Sequence, residues 1–135
     1  MLPSLHDDFV VSYEVNCESR QIKLHTRRDP RDAAKRERRP RTIVLNGVEG
    51  YQFEGDAFGN IISSLAAVSI EQVFADHGSR IAESYRMAGA PGPWAADLAA
   101  AAQVLAARGI KGFVLSSSYG LSGWVLAKEA LVEPT

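Results

Sequence analysis

Alternating apolar and polar positions dominate the first part of the chain. The stretch DFVVSYEVN places Phe9, Val11, Tyr13 and Val15 on one face of an extended segment, and the alternation resumes in QIKLHTR after the polar corner CESR. A period of two residues is typical of a strand with one buried face. The two stretches therefore predict a β-hairpin.

Further strands are predicted around the glycine-rich centre of the chain and at its end. RTIVLN, GVEGYQFEG and AFGNIISSLAAV each supply one strand, and IKGFVLSSSY and GWVLAKEALV supply two more around a turn at residues 120–123. With the first hairpin, the pattern predicts about seven strands.

The apolar period changes from two to 3.6 residues after Val68. Ser69, followed three residues later by Gln72, is typical of a helix capping box. A second, alanine-rich helix is predicted in WAADLAAAAQVLAARG, with Gly109 as its stop. The strands and helices are segregated in the order five strands, two helices, two strands. This order predicts an α+β fold with a largely antiparallel sheet, two helices packed on one face and a more open opposite face.

Length and composition are those of one domain spanning residues 1–135, with 46% hydrophobic residues. No apolar run approaches the roughly 18 residues that a membrane-spanning helix needs, and the acidic N-terminus lacks a signal-peptide core. We therefore expect a soluble, cytoplasmic protein without membrane contact. A single cysteine, Cys17, excludes an internal disulfide, and the three histidines do not lie at ligand spacing. Because phosphate-binding and dinucleotide-binding loops are also missing, we predict no metal and no cofactor.

Positive charge is concentrated in one segment, residues 27–41, although the whole chain has a formal net charge of −1. No apolar stripe would dock this segment, so we predict a basic, mobile loop within the domain. Clustered arginines can neutralise phosphates, which leaves nucleic-acid binding as one alternative function. The absence of aromatic residues between these arginines argues against nucleic-acid binding. The basic side chains are Arg27, Arg28, Arg31, Lys35, Arg36, Arg38, Arg39 and Arg41.

Two polar groups provide candidates for catalysis. The acidic cluster contains Glu49, Glu54, Asp56 and Asn60 around glycine turns, where carboxylates can bind a divalent cation or act as an acid/base pair. The same residue types are common in turns for conformational reasons. His25 is the only plausible base for the serines of SSSYGLSG, and nothing in the sequence brings them together. A small hydrolase using the acidic cluster or His25 is therefore a second alternative function. The sequence nevertheless favours a protein without enzymatic activity.

Three stretches resemble a family of small, uncharacterised bacterial proteins. They are YEVNCESRQIKLHTR, GVEGYQFEGDAFGNII and SSSYGLSGWVLAKE, which together cover roughly half of the chain and include no catalytic motif. The resemblance implies a compact, stand-alone α+β domain, sometimes found near bacterial toxin and immunity systems. It implies no assigned activity and transfers no functional residue.

The sequence thus favours a non-enzymatic binding protein that contacts another protein through an exposed sheet face, with an immunity-like role as one form of this hypothesis. The predicted contacts are Tyr51, Phe53, Glu54, Asp56 and Asn60, joined by Tyr119 and Trp124 if the last hairpin lies alongside. Tyr119 and Trp124 flank the predicted turn of that hairpin, and we expect them to form an aromatic pair.

Overall fold

An antiparallel sheet organises the chain. The computed structural model describes residues 2–28 and 40–133, and within these ranges the sheet has eight strands in the order β4-β7-β6-β5-β1-β2-β3-β8. The strands are β1 (Asp8–Asn16), β2 (Gln21–Arg28), β3 (Arg41–Asn46), β4 (Gly50–Glu54), β5 (Ile61–Val68), β6 (Lys111–Tyr119), β7 (Ser122–Ala127) and β8 (Glu129–Glu133). The helices are α1 (Ile70–Ala88) and α2 (Leu98–Ala107). The predicted α+β class and antiparallel sheet are confirmed, and the last predicted strand is divided in two at Lys128.

β1 departs from the predicted alternation at a bulge. Its register with β2 shifts between Val10 and Ser12, which makes Val11 the extra residue. A bulge reverses the alternation of faces beyond it, so buried Val10 lies on the same side as Tyr13 and Val15. Val11 is 58% exposed, and its predicted place on the buried face is wrong.

The sheet is strongly curled, because short links join strands at its two opposite edges. The β3–β8 pair forms one edge and the β4–β7 pair forms the other. β3 continues into β4 after three residues, and β7 continues into β8 after one. β3 pairs with β8 and β4 pairs with β7, so residues 41–54 run antiparallel to residues 122–133. β1 pairs with β5 only at Phe9 and Ile61. Between the far half of β1 and the outer edge of β4, the described residues form no strand pair, and the sheet opens there.

Buried side chains lie on both faces of the sheet. Along β6, Phe113 and Leu115 join one core cluster while Val114 packs against the other. The cluster between sheet and helices contains Trp124 and Leu126, and the larger cluster fills the opposite face. The expectation that the face away from the helices is open is therefore wrong, because the curled sheet encloses that face itself.

The helices begin where side-chain caps allow. α1 starts after Ser69, whose hydroxyl accepts a hydrogen bond from the Gln72 N–H at 3.0 Å, and stops at Gly89, which has a positive φ of 71°. The predicted second helix is shorter than expected. Pro93–Ala96 form a 3-10 turn, and Asp97 caps α2 by accepting from the Ala100 N–H. Within the described ranges, neither helix combines the length and apolar character needed to cross a membrane.

Candidate functional site

The corner loop, residues 55–60, joins β4 to β5 and is held by the buried amide of Asn60. Asn60 Oδ1 accepts hydrogen bonds from the backbone N–H groups of Ala57 at 2.9 Å and Leu121 at 2.8 Å. Gly120 has a positive φ of 93° and passes so close to Asn60 that a Cβ there would collide with the amide oxygen. One side chain thus ties the corner loop to the turn between β6 and β7.

Asp56 completes the hydrogen bonding of the corner loop. Its Oδ1 accepts from Asn60 Nδ2 at 2.8 Å and from the Phe58 N–H at 2.9 Å, and its Oδ2 accepts from the Tyr13 hydroxyl at 2.8 Å. These bonds, the one from Asn60 foremost, lower the pKa of the Asp56 carboxyl. The bond to Asp56, and then burial, raise the pKa of the Tyr13 phenol. Asp56 and Asn60 therefore act in shaping the loop.

Exposed aromatic rings surround this loop. Phe58 is 95% exposed at the tip, with a positive φ of 62°, and Tyr119 is 58% exposed with its ring beside Gly59. On β4, Tyr51 and Phe53 have ring centroids 5.5 Å apart, and Phe53 meets Tyr13 edge-on at 5.9 Å. We call these five rings the aromatic corner: Tyr13, Tyr51, Phe53, Phe58 and Tyr119. The sequence identified three of them and missed Tyr13 and Phe58.

Trp124 lies elsewhere. β7 does run alongside β4, with Trp124 opposite Gln52, but the indole points towards the helices and is 3% exposed. Tyr119 pairs with Ile61, and Trp124 pairs with Val114, so the expected aromatic pair is wrong. The turn offsets the two strands, and this places the two rings far apart along the hairpin.

Glu54 is tied to a helix. Its Oε1 lies 2.9 Å from Arg80 Nη1 of α1, which makes an exposed ion pair at the end of β4. Exposed pairs of this kind contribute little to stability. Glu54 therefore lies beside the aromatic corner with its charge already balanced.

A cleft of about 550 Å³ lies where β4 separates from the end of the β1–β2 hairpin. Its apolar wall includes Val15, Ile22, Val48, Phe53, Ile81 and Trp124. Arg20 and Glu49 stand on its polar side, with Arg20 Nη1 at 3.5 Å from Glu49 Oε2. Arg108 of the α2 end reaches the other oxygen of the same carboxylate at 3.6 Å. The predicted contacts Tyr51 and Phe53 and the acidic-cluster residue Glu49 line this cleft, but nothing in the sequence indicated the cleft itself, because its walls come together only through the curl of the sheet.

The hydrolase candidates are not brought together. His25 Nδ1 lies 2.9 Å from Thr42 Oγ1, and its Nε2 lies 3.9 Å from Glu14. The Ser117 hydroxyl donates to the Leu121 carbonyl, and the Ser118 hydroxyl donates to a backbone carbonyl of β5. Neither the cleft nor a smaller one beside it is lined by His25 or by the corner carboxylates. The described side chains thus assemble no nucleophile with its base.

The basic segment is only partly described. Arg27 and Arg28 belong to the end of β2, and Arg41 begins β3 and donates from Nη1 to the Ser4 carbonyl at 3.1 Å. The other predicted basic contacts, Arg31, Lys35, Arg36, Arg38 and Arg39, lie outside the described residues. Within residues 2–28 and 40–133, histidine, cysteine and carboxylate side chains form no group of three that could hold a metal ion.

Comparison with known proteins returns no family model, no curated protein and no solved structure that matches the chain. The resemblance to small bacterial proteins therefore stays a prediction. The aromatic corner and the cleft are the features of the described residues that bear on function.

Proposed function

We propose that this chain is a non-enzymatic binding protein that contacts another protein through the aromatic corner. The observation that carries the proposal is Phe58, whose side chain is 95% exposed on a loop fixed from within. Aromatic rings are enriched at protein interfaces, where a few of them supply most of the binding energy. A large ring held out to water by a specific hydrogen-bond network is best explained by a partner that covers it.

The rigidity of the loop favours binding. Asn60 accepts from the Ala57 N–H, Asp56 accepts from the Phe58 N–H, and the two side chains bond to each other, all at 2.8–2.9 Å. A loop already in its bound conformation loses little conformational entropy when a partner docks. The polar candidates of the sequence thus serve the contact by positioning it.

The surroundings of Phe58 fit an interface. Tyr119, Tyr51 and Tyr13 are each more than a third exposed, and each combines an apolar ring with a hydroxyl. Glu54, paired to Arg80, gives a polar rim. An immunity-like role in the bacterial cytoplasm, in which the partner is a toxin held inactive, is one form of this proposal, by analogy with the toxin and immunity systems near which similar domains are sometimes found.

The proposal is tested with Phe58→Asn, because asparagine tolerates the positive φ at this position. The matched control is Met87→Ala, which removes another exposed apolar side chain, 79% exposed, from the end of α1. Each protein is used as bait in the native lysate, and its self-association is measured by sedimentation. Loss of a central aromatic contact is expected to weaken binding by about 2 kcal/mol, or roughly thirtyfold in Kd.

We expect the wild type and Met87→Ala to retain the same protein, or to form the same homodimer, and Phe58→Asn to lose it. Equal retention by all three proteins would show that the corner is not the contact. A wild type that stays monomeric and retrieves no protein would contradict the proposal as a whole.

A further inference from the structure

The cleft between β4 and the β1–β2 hairpin has the dimensions of a small-molecule site. Its volume of about 550 Å³ lies within the roughly 300–1,000 Å³ usual for ligand pockets. Three side chains of its wall, Ile22, Ile81 and Trp124, are at most 3% exposed. Because core packing already holds these side chains in place, the cleft is preformed and needs little rearrangement to accept an apolar group.

The indole of Trp124 belongs to the wall of the cleft. Its Nε1 is buried without a hydrogen-bond partner among the described residues. A buried donor that lacks an acceptor costs about 1–3 kcal/mol, so such groups are rare unless water or a ligand meets them. Because Trp124 Nε1 has almost no exposed surface, this N–H does not select the occupant, and the indole serves as a reporter group in the cleft wall.

A charge cluster with a net positive charge borders the polar side of the cleft, formed by Arg20 and Glu49 of its lining and by Arg108 outside it. Glu49 is approached by two guanidinium groups, Arg20 at 3.5 Å and Arg108 at 3.6 Å. One carboxylate balances only one of them. Arg20 lines the cleft, and its side chain is 64% exposed. A guanidinium matches a carboxylate in both charge and geometry, so a second carboxylate would complete this cluster.

We infer that the cleft binds a small organic carboxylate with an apolar body. The body packs against the partly exposed side chains of the wall, Val15, Phe53 and Pro91, and the carboxylate faces Arg20. Tyr51 and Phe53 belong both to the aromatic corner and to the cleft wall, whereas Phe58 does not line the cleft. Loss of the protein partner in Phe58→Asn therefore does not contradict carboxylate binding in the cleft, and failure of the cleft to bind a carboxylate does not contradict the protein contact through Phe58.

Three probes with the same body and different head groups test the inference: octanoate, octanamide and octylammonium. The chain has two tryptophans, and Trp94→Phe leaves Trp124 as the only one, which is excited selectively at wavelengths where tyrosine does not absorb; the new ring preserves the stacking on Phe74. Fluorescence titration then reports on the cleft wall, and thermal unfolding gives a second readout. We expect octanoate to change the Trp124 emission and raise Tm, octanamide to bind at least tenfold more weakly, and octylammonium to have no effect.

Arg20→Gln in the same background is expected to weaken octanoate binding about tenfold and to leave octanamide binding unchanged. The matched control, Arg86→Gln, removes an exposed arginine that pairs with Glu83 on α1, away from the cleft, and should bind octanoate like its parent. The inference is overturned if none of the probes changes the Trp124 emission, if all three bind alike, or if Arg20→Gln binds octanoate as tightly as Arg86→Gln.

Discussion

Asn60 and Asp56 show how two side chains can position a third without touching any ligand. The Asn60 amide oxygen is the acceptor for two backbone N–H groups, and the Asp56 carboxylate is the acceptor for a third. Buried backbone donors need acceptors, and without them the loop would rearrange to find others. These hydrogen bonds hold the Phe58 ring exposed to solvent. We therefore assign the binding role in the corner loop to Phe58, and a positioning role to Asp56 and Asn60.

The bond from the Tyr13 hydroxyl to Asp56 predicts a distinct titration. It raises the pKa of Tyr13, so the folded chain holds this proton more tightly than the unfolded chain. The resulting stabilisation is complete below the unfolded pKa of about 10 and is lost as pH rises through the higher pKa of the folded state. In an absorbance titration we expect a tyrosine ionisation step above the ordinary range, which belongs to Tyr13. Tyr13→Phe should remove that step, and Asp56→Asn should move it back towards the ordinary pKa.

The matched control for this titration is Tyr119→Phe, which removes an exposed ring of the same corner and should leave the high step in place. Persistence of that step in Tyr13→Phe would contradict its assignment. At the acid end the sign reverses. The lowered pKa of Asp56 means that its bonds stabilise the fold above the unfolded pKa of about 3.9, and that this contribution is lost as pH falls through the folded pKa.

Among the secondary-structure elements, α1 begins after a residue whose side chain caps its first turn. The Ser69 hydroxyl accepts from the Gln72 N–H, but the Gln72 side chain donates to Asp76 at 2.9 Å and does not return to Ser69. Only half of the capping box is therefore formed. We expect Ser69→Ala to lower the free energy of unfolding by about 1 kcal/mol and Gln72→Ala by only a few tenths, as measured by urea denaturation.

Ser79→Ala is the control, since Ser79 is an exposed serine within α1 rather than at its end. It is expected to change stability by less than about 0.5 kcal/mol. Equal losses in Ser69→Ala and Gln72→Ala would instead indicate that the box closes in solution.

The elements that sequence predicted well are those governed by local pattern. The bounds of β1 and β3 and the start of α1 follow from period and capping alone. The bulge at Val11 was missed because it depends on the register with β2, which is set by long-range pairing. The second helix starts late because Asp97 forms a cap inside an alanine-rich stretch whose propensity continues on both sides.

The contrast between local pattern and long-range packing also explains which residues of the candidate site could be predicted. Tyr51 and Tyr119 were recognised as surface aromatics because they adjoin glycine turns. Trp124 was misplaced because the covered face of β7 is decided by where the helices dock. The exposure of Phe58 depends on a positive φ that the hydrogen bonds of the corner impose, and a single sequence gives no direct sign of it.

For the whole molecule, the decisive feature is one sheet shared by two cores. Residues of β6 and β7 alternate between the cluster inside the curl and the cluster under the helices, so Val125 belongs to the first and Trp124 and Leu126 to the second. Strands that contribute to both cores cannot unfold on one side while the other remains packed. The corner and the cleft both lie on this shared framework, which accounts for their being preformed.

The shared sheet predicts a single cooperative unfolding transition. Ile43→Val removes one methylene from a fully buried side chain in the core away from the helices, whereas both tryptophans report on the other core. We expect the loss, about 1 kcal/mol, to lower the urea midpoint equally when followed by tryptophan fluorescence and by far-ultraviolet circular dichroism. Val132→Ala, at a half-exposed position on β8, is the control and should move neither midpoint appreciably. If Ile43→Val shifted the dichroism transition and left the fluorescence transition in place, the two cores would be separate units and the shared sheet would not couple them.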